Sequence, residues 1–177
     1  MADRKRPSAA LALGAAAAGL ILLAWGAPAS PPGQQIFLDL PWEKPVAVAA
    51  DAGWIDTGID VVPGEVILFR ASGEVNLQKG NPEAACGPEG LDLVTVDQPI
   101  PDANLGALIG KVAQLVASRP DEDSGLEIRD EVFVLFLIGT ERAVAAPFRG
   151  RLYLGVNENV HKDNAGEFSV LVVRRPV

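Results

Sequence analysis

Beyond residue 45 the chain runs in short stretches with a period of two, and a Gly or Pro closes nearly every stretch. VILFRASGEV puts Ile67, Phe69 and Ala71 on one side and Val66, Leu68, Arg70 and Ser72 on the other. GRLYLGVN aligns Leu152, Leu154 and Val156, and GEFSVLVV aligns Phe168, Val170 and Val172. Such alternation lays one face of an extended strand on a core. VAVAADAGWIDTGIDV alternates too, broken by Gly53 and Gly58. LGALIGKVAQLV reads as strand rather than short helix, on two glycines at spacing four and its β-branched residues. VFVLFLIG is apolar throughout, which predicts a central strand covered on both faces. With 18 Gly and 14 Pro, and no convincing amphipathic helix, six or seven strands are expected. The fold class is therefore all-β, an antiparallel β-sandwich.

Residues 1–29 are read as a signal peptide or signal anchor, a helical segment outside the fold. Arg4, Lys5 and Arg6 form its basic start, an apolar run follows to Trp25, and Ala27-Pro28-Ala29 offers the small residues of a cleavage site. Cleavage after Ala29 is expected. An uncleaved anchor is the alternative, because the run is nearly long enough to span a bilayer. The chain is accordingly expected to be exported: periplasmic, extracellular, or membrane-anchored and facing outside. Residues 30–45 form a Pro-rich linker, and residues 46–177 the sandwich.

The formal net charge is −8, and the leader holds three basic residues against Asp3, so the remainder is more acidic still. Such a surface repels nucleic acid and anionic lipid, and membrane contact is expected only if the leader is retained. Cys86 is alone, so no internal disulfide braces the chain. It reads as a small buried residue, with an intermolecular bridge or a reactive thiol as alternatives. Stability then comes from the core, a bound ion or homo-oligomeric assembly.

The stretch NENVHKDNAGEF, Asn157 to Phe168, crowds oxygen-bearing side chains into one bend. Glu158, Asp163 and Asn164 offer carboxylate and amide oxygens, and the carbonyls of Asn159, Val160 and His161 add others. Calcium takes six to eight oxygens at roughly 2.3–2.6 Å in irregular geometry and suits such a mixture better than magnesium does. The spacing is not that of an EF-hand, and a plain solvated turn is the competing reading.

WIDTGIDVVPGEVILFRASGEV, CGPEG, PDANLGALIGKV and GRLYLGVNENVHKDNAGEFSVLVV, in this order, resemble the PA-I family of calcium-dependent galactose-binding bacterial lectins. The resemblance runs from about Trp54 to Val173 and implies a small jelly-roll sandwich. It also implies a calcium ion between the C-terminal loop and a loop after the second strand, with two sugar hydroxyls completing the coordination. By position it assigns metal ligands to Glu158, Asp163 and Asn164, with main-chain carbonyls from Val160 or His161 and from near Leu77. Glu158, Asp163 and Asn164 would also meet the ligand, a carbohydrate such as a galactoside. The sequence departs from the family in three ways. Glu158 stands where Asp is usual, the loop to Asp163 is about two residues shorter, and LDLVTV lacks the sugar-contacting His.

Enzyme chemistry finds little support. His161 is the only histidine, so any His-based triad must use it, and it lies in a polar loop. Asp121-Glu122-Asp123 and Asp130-Glu131 sit in acidic turns and read as solvated faces. One Cys and one His make zinc improbable, and GALIG lacks the Lys-Ser/Thr of a phosphate loop. The chain is read as a non-enzymatic binding protein, with a structural or assembly module as the alternative, braced by calcium or carrying no ligand.

Overall fold

The computed structural model describes residues 42–120 and 127–174. The expected leader, residues 1–29, and residues 30–41 of the expected linker lie outside them. Among the described residues nine strands form two antiparallel sheets. They are β1 (Trp42–Ala49), β2 (Ile55–Val61), β3 (Val66–Asn76), β4 (Ala85–Cys86), β5 (Leu108–Pro120), β6 (Glu127–Leu137), β7 (Glu141–Ala145), β8 (Gly150–Val156) and β9 (Ala165–Arg174). The first strand starts at Trp42, so Trp42–Pro45, assigned to the linker from sequence, belong to the sandwich. Among the described residues the sole helical turn is a 3₁₀ turn at Pro82–Ala84, capped by the Asn81 side chain.

One sheet runs β1-β9-β3, with β4 and β7 side by side along the far edge of β3. The other runs β2-β8-β5-β6. Most connections cross from one sheet to the other, so β8 and β9 lie in different sheets although only the polar bend separates them. Ile67, Phe69, Leu152, Leu154, Phe168, Val170 and Val172 are all buried between the sheets, as the period of two dictates. Removing such side chains from water is the main favourable term available to a chain whose one cysteine is unpaired.

One sequence expectation about the strands is corrected. The run VFVLFLIG is no central strand: among the described residues β6 pairs only with β5 and forms the edge of its sheet. Its apolar residues divide between uses. Phe136 turns into the core, its ring 5.8 Å from that of Phe69. Val132, Phe133 and Val134 remain exposed. Trp54 lies outside the core on the outer face of β8, where a Cβ on Gly155 would come within 3.1 Å of its ring. There the Lys111 ammonium stands 4.9 Å from the Trp54 ring and 4.7 Å from the Tyr153 ring, a cation–π arrangement.

The strand registers gather the connections at two ends. The β1–β2, β3–β4, β6–β7 and β8–β9 connections share one end, since Ala49 pairs with Glu167, Asn76 with Ala165 and Leu108 with Val156. Trp42 and Arg174 pair at the other. The candidate site occupies the first of these ends.

Candidate ligand-binding loops

Asn157 opens the β8–β9 bend and is fully buried. Its amide oxygen accepts from the Ile100 N–H at 2.8 Å, and its amide nitrogen donates to the carbonyls of Ile100 at 3.1 Å and Asn104 at 3.0 Å. Its backbone N–H donates to Ala107 at 2.8 Å, and its carbonyl accepts from Gly106 at 3.1 Å. This one residue fastens the long excursion between β4 and β5 to the bend. Sequence reasoning counted Asn157 only as part of a polar loop. The period of two gave no signal for it, because the alternation that turns Leu152, Leu154 and Val156 inward puts the next position on the other face.

Asn164 closes the bend and is also buried. Its amide nitrogen donates to the Ala50 carbonyl at 3.2 Å and to Glu158 Oε2 at 2.7 Å. The bend turns so tightly that the Asn164 N–H reaches the His161 carbonyl at 3.2 Å. Glu158 and Asn164, six residues apart, are therefore in direct contact. Asp163 stays exposed, yet its carbonyl accepts from the Lys79 N–H at 2.7 Å. That bond brings the loop after β3, which begins at Leu77, against the bend. Leu77 itself is buried, its side chain packed where a Cβ on Gly106 would lie 2.6 Å away.

The electrostatics are those of a site rich in oxygen and poor in positive charge. Burial pushes the Glu158 carboxyl above its ordinary value. The Asn164 amide offsets part of that rise, the Asp163 charge adds to it, and His161 opposes it. Asn164 Oδ1 is buried with no hydrogen-bond donor facing it. His161 Nδ1 is likewise buried and unpartnered, with the ring lying over Gly53 on the β1–β2 connection. Buried polar atoms are nearly always satisfied, so two orphans in one bend mark a place for a ligand, ion or water.

Of the six residues expected to hold a metal, Glu158, Asp163 and Asn164 come together, with the loop beginning at Leu77 alongside. The His161 ring turns toward Gly53, and the Val160 side chain is exposed. Among the described residues no three His, Cys, Asp or Glu side chains form a ready metal cluster, so any cation here would draw on amide and main-chain oxygens as well. Beside Glu158 runs a groove of about 260 Å³ lined by Thr95, Asp97, Gln98, Leu105, Glu158, Asn159 and Val160. The Asn159 amide donates to the Asp97 carbonyl and holds its two walls together. Gln98 is buried and its amide is consumed by Thr95, Ile100 and Ala103.

No protein-family model matches this chain, and no curated protein does. Among solved structures, the chain is similar to the EclA N-terminal domain, described as a PllA-like lectin. The identity is 25%, over 77% of this chain and 98% of that one, with a TM-score of 0.49.

The remaining anchor of this end is Glu89. Its carboxylate accepts from the Thr140 N–H at 2.6 Å, and hydrogen bonds from Thr140 hold it below the usual carboxylate range. It ties the excursion to the β6–β7 turn, at Gly139, whose φ of 66° suits glycine. Glu89 thus serves to position the loop end and lies outside the Glu158 cluster.

Proposed function

We propose that this chain is an exported carbohydrate-binding domain in which the Glu158–Asn164 bend holds a calcium ion and the ion recruits sugar hydroxyls. The observation that carries the reading is the buried pair of Glu158 and Asn164, a carboxylate destabilised by burial beside an amide oxygen with no donor. A divalent cation answers both needs, because it supplies positive charge and accepts oxygen ligands without a donor. Glu158, Asp163 and Asn164 would hold it, with carbonyls of Val160 or His161 and of Leu77 as main-chain candidates. Bound calcium supplies exchangeable coordination places for vicinal hydroxyls. The chain's own groove, from Thr95 to Asp97 and along Asn159 and Val160, would then orient the rest of the sugar. The order of motifs shared with the PA-I lectins supports a galactoside as the first sugar to try.

A second reading has its own observation. The Lys79–Asp163 and Asn164–Ala50 hydrogen bonds already join three connections at this end, so an ion here would also brace them. Titration calorimetry and a glycan array, each with and without chelator, separate the readings. The lectin reading expects calcium uptake and chelator-sensitive glycan retention, both lost in Glu158→Ala and Asp163→Ala. Calcium uptake with no glycan retained leaves only the brace. Unchanged uptake in both variants removes the ion from this bend.

A further inference from the structure

The edge strand β6 carries a surface that the candidate site does not use. Val132, Phe133 and Val134 are 55%, 53% and 42% exposed, three large apolar side chains in succession on both faces of one strand. A strand edge of this kind is a template for pairing unless it is covered. The opposite edge of the sheet, β2, is blunted. It is kinked by a register shift between Asp56 and Ile59, and Asp56 and Asp60 engage Arg151 along it. Among the described residues, the pairing of β6 with β5 shifts register only beyond Glu131, opposite Leu115 and Ala117, and from Glu131 to Leu137 it is regular.

The hydrogen-bond pattern says which groups of β6 are free. Ile138 donates to the Leu108 carbonyl at 2.9 Å, and β6 stays in regular register with β5 from Leu137 to Glu131. In an antiparallel ladder, residues alternate between facing one neighbour and facing the other. The even-numbered residues of this stretch therefore bond β5, and Glu131, Phe133, Leu135 and Leu137 turn their N–H and C=O groups outward. The Leu137 carbonyl is taken by Arg142 Nη1 at 2.8 Å. What remains is Glu131, Phe133 and Leu135, a set centred on Phe133. The exposed apolar trio is centred on the same residue.

We infer that β6 pairs with β6 of a second copy of this chain, antiparallel, about a two-fold axis at Phe133. That register sets Phe133 against its own copy, Val132 against the partner's Val134, and Glu131 against the partner's Leu135. Every free N–H and C=O of the three outward residues then finds a partner. Charge agrees with the register. Lys111 lies beside Leu135 in the sheet and within 4.0 Å of its own Glu131, so each Glu131 carboxylate comes to rest near an ammonium of the other copy. A single ring and two valines supply only a few hundred Å² per copy, short of the roughly 1,200–2,000 Å² total of a standard interface. The dimer is accordingly weak and concentration-dependent. Antiparallel pairing sends the two loop ends in opposite directions, so a ligand held there would be presented on both ends of the dimer.

Sedimentation velocity on the exported chain over a concentration series tests this. The expected result is a monomer–dimer equilibrium that Phe133→Lys shifts at least tenfold toward monomer, with an unchanged melting temperature because this side chain is half in water. A second measurement reads the register. In a Cys86→Ala background, oxidation of a mixture of Val132→Cys and Val134→Cys chains should link unlike chains and leave each variant alone uncrosslinked. A chain that stays monomeric at the highest concentration of the series overturns the proposal. So does a dimer indifferent to Phe133→Lys, or one in which Val132→Cys links to itself. None of these readouts depends on calcium or sugar, so they stand apart from the fate of the lectin reading.

Discussion

Glu65 sits 4% exposed between β2 and β3, where an unpartnered carboxylate would not survive. Burial alone would raise its pKa, but the Arg174 hydrogen bond, the Val62 N–H and the Arg174 charge together hold it below the ordinary carboxylate value. A group depressed in the folded state stabilises the fold above its unfolded pKa. That stability is lost as pH falls through the ordinary carboxylate range toward the depressed value. Acid unfolding followed by circular dichroism should therefore be less steep in Glu65→Gln than in the parent. Glu65→Ala should cost about 1–3 kcal/mol in urea denaturation near neutrality, because the Val62 N–H loses its acceptor and Arg174 its partner. Cys86 makes the contrasting case. Burial first, and then the charges of Glu158 and Glu74, push its thiol up to about 11. A thiol reagent at neutral pH should leave Cys86 unmodified until denaturant is added; rapid labelling of the folded chain would restore the reactive-thiol alternative.

Among elements, the excursion between β4 and β5 is tied to the β8–β9 bend by Asn157 and held within itself by Gln98. Asn157→Ala strips acceptors and donors from Ile100, Asn104 and Ala103 at once. We expect a loss of about 2–4 kcal/mol, since several buried groups are left unpaired together. Hydrogen exchange should show faster amides over residues 98–107, with the β9 amides protected as before. The strands were readable because their period of two survives folding: Phe168, Val170 and Val172 face inward as the sequence predicts. β6 was misjudged because a continuous apolar run has no period. It serves a covered central strand and an apolar edge equally well, and only its neighbours distinguish the two.

At the scale of the whole molecule, the proposed ion at the loop end would link stability to a ligand. An ion that binds the folded chain alone stabilises it by about 2.7 kcal/mol at a hundred times its dissociation constant. For a domain of this size that is a rise of several degrees in Tm, which scanning calorimetry with and without chelator measures. Asp163→Ala should abolish it. The pH dependence has a defined sign. Glu158 is raised in the ion-free fold, so that form loses stability as pH climbs from the ordinary carboxylate value through the raised one. A cation replaces the proton there, so the gain in Tm on adding calcium should grow over the same window.

What the sequence determined by itself was local: alternation, turn positions and the crowding of oxygens between Asn157 and Asn164. Those follow from backbone geometry and side-chain chemistry within a few residues, so the strands and the loop could be located without a partner. Which oxygens meet was a different matter. Asn164 touches Glu158 because the bend folds back on itself, and Ala50 and Lys79 hold the bend there from connections far away in the chain. The use of Asn157 as a clamp, the exposure of β6 and the orphaned Asn164 oxygen likewise arise only when the two sheets stack. Packing decides which polar atoms are enclosed, and no period in the text records what will enclose them.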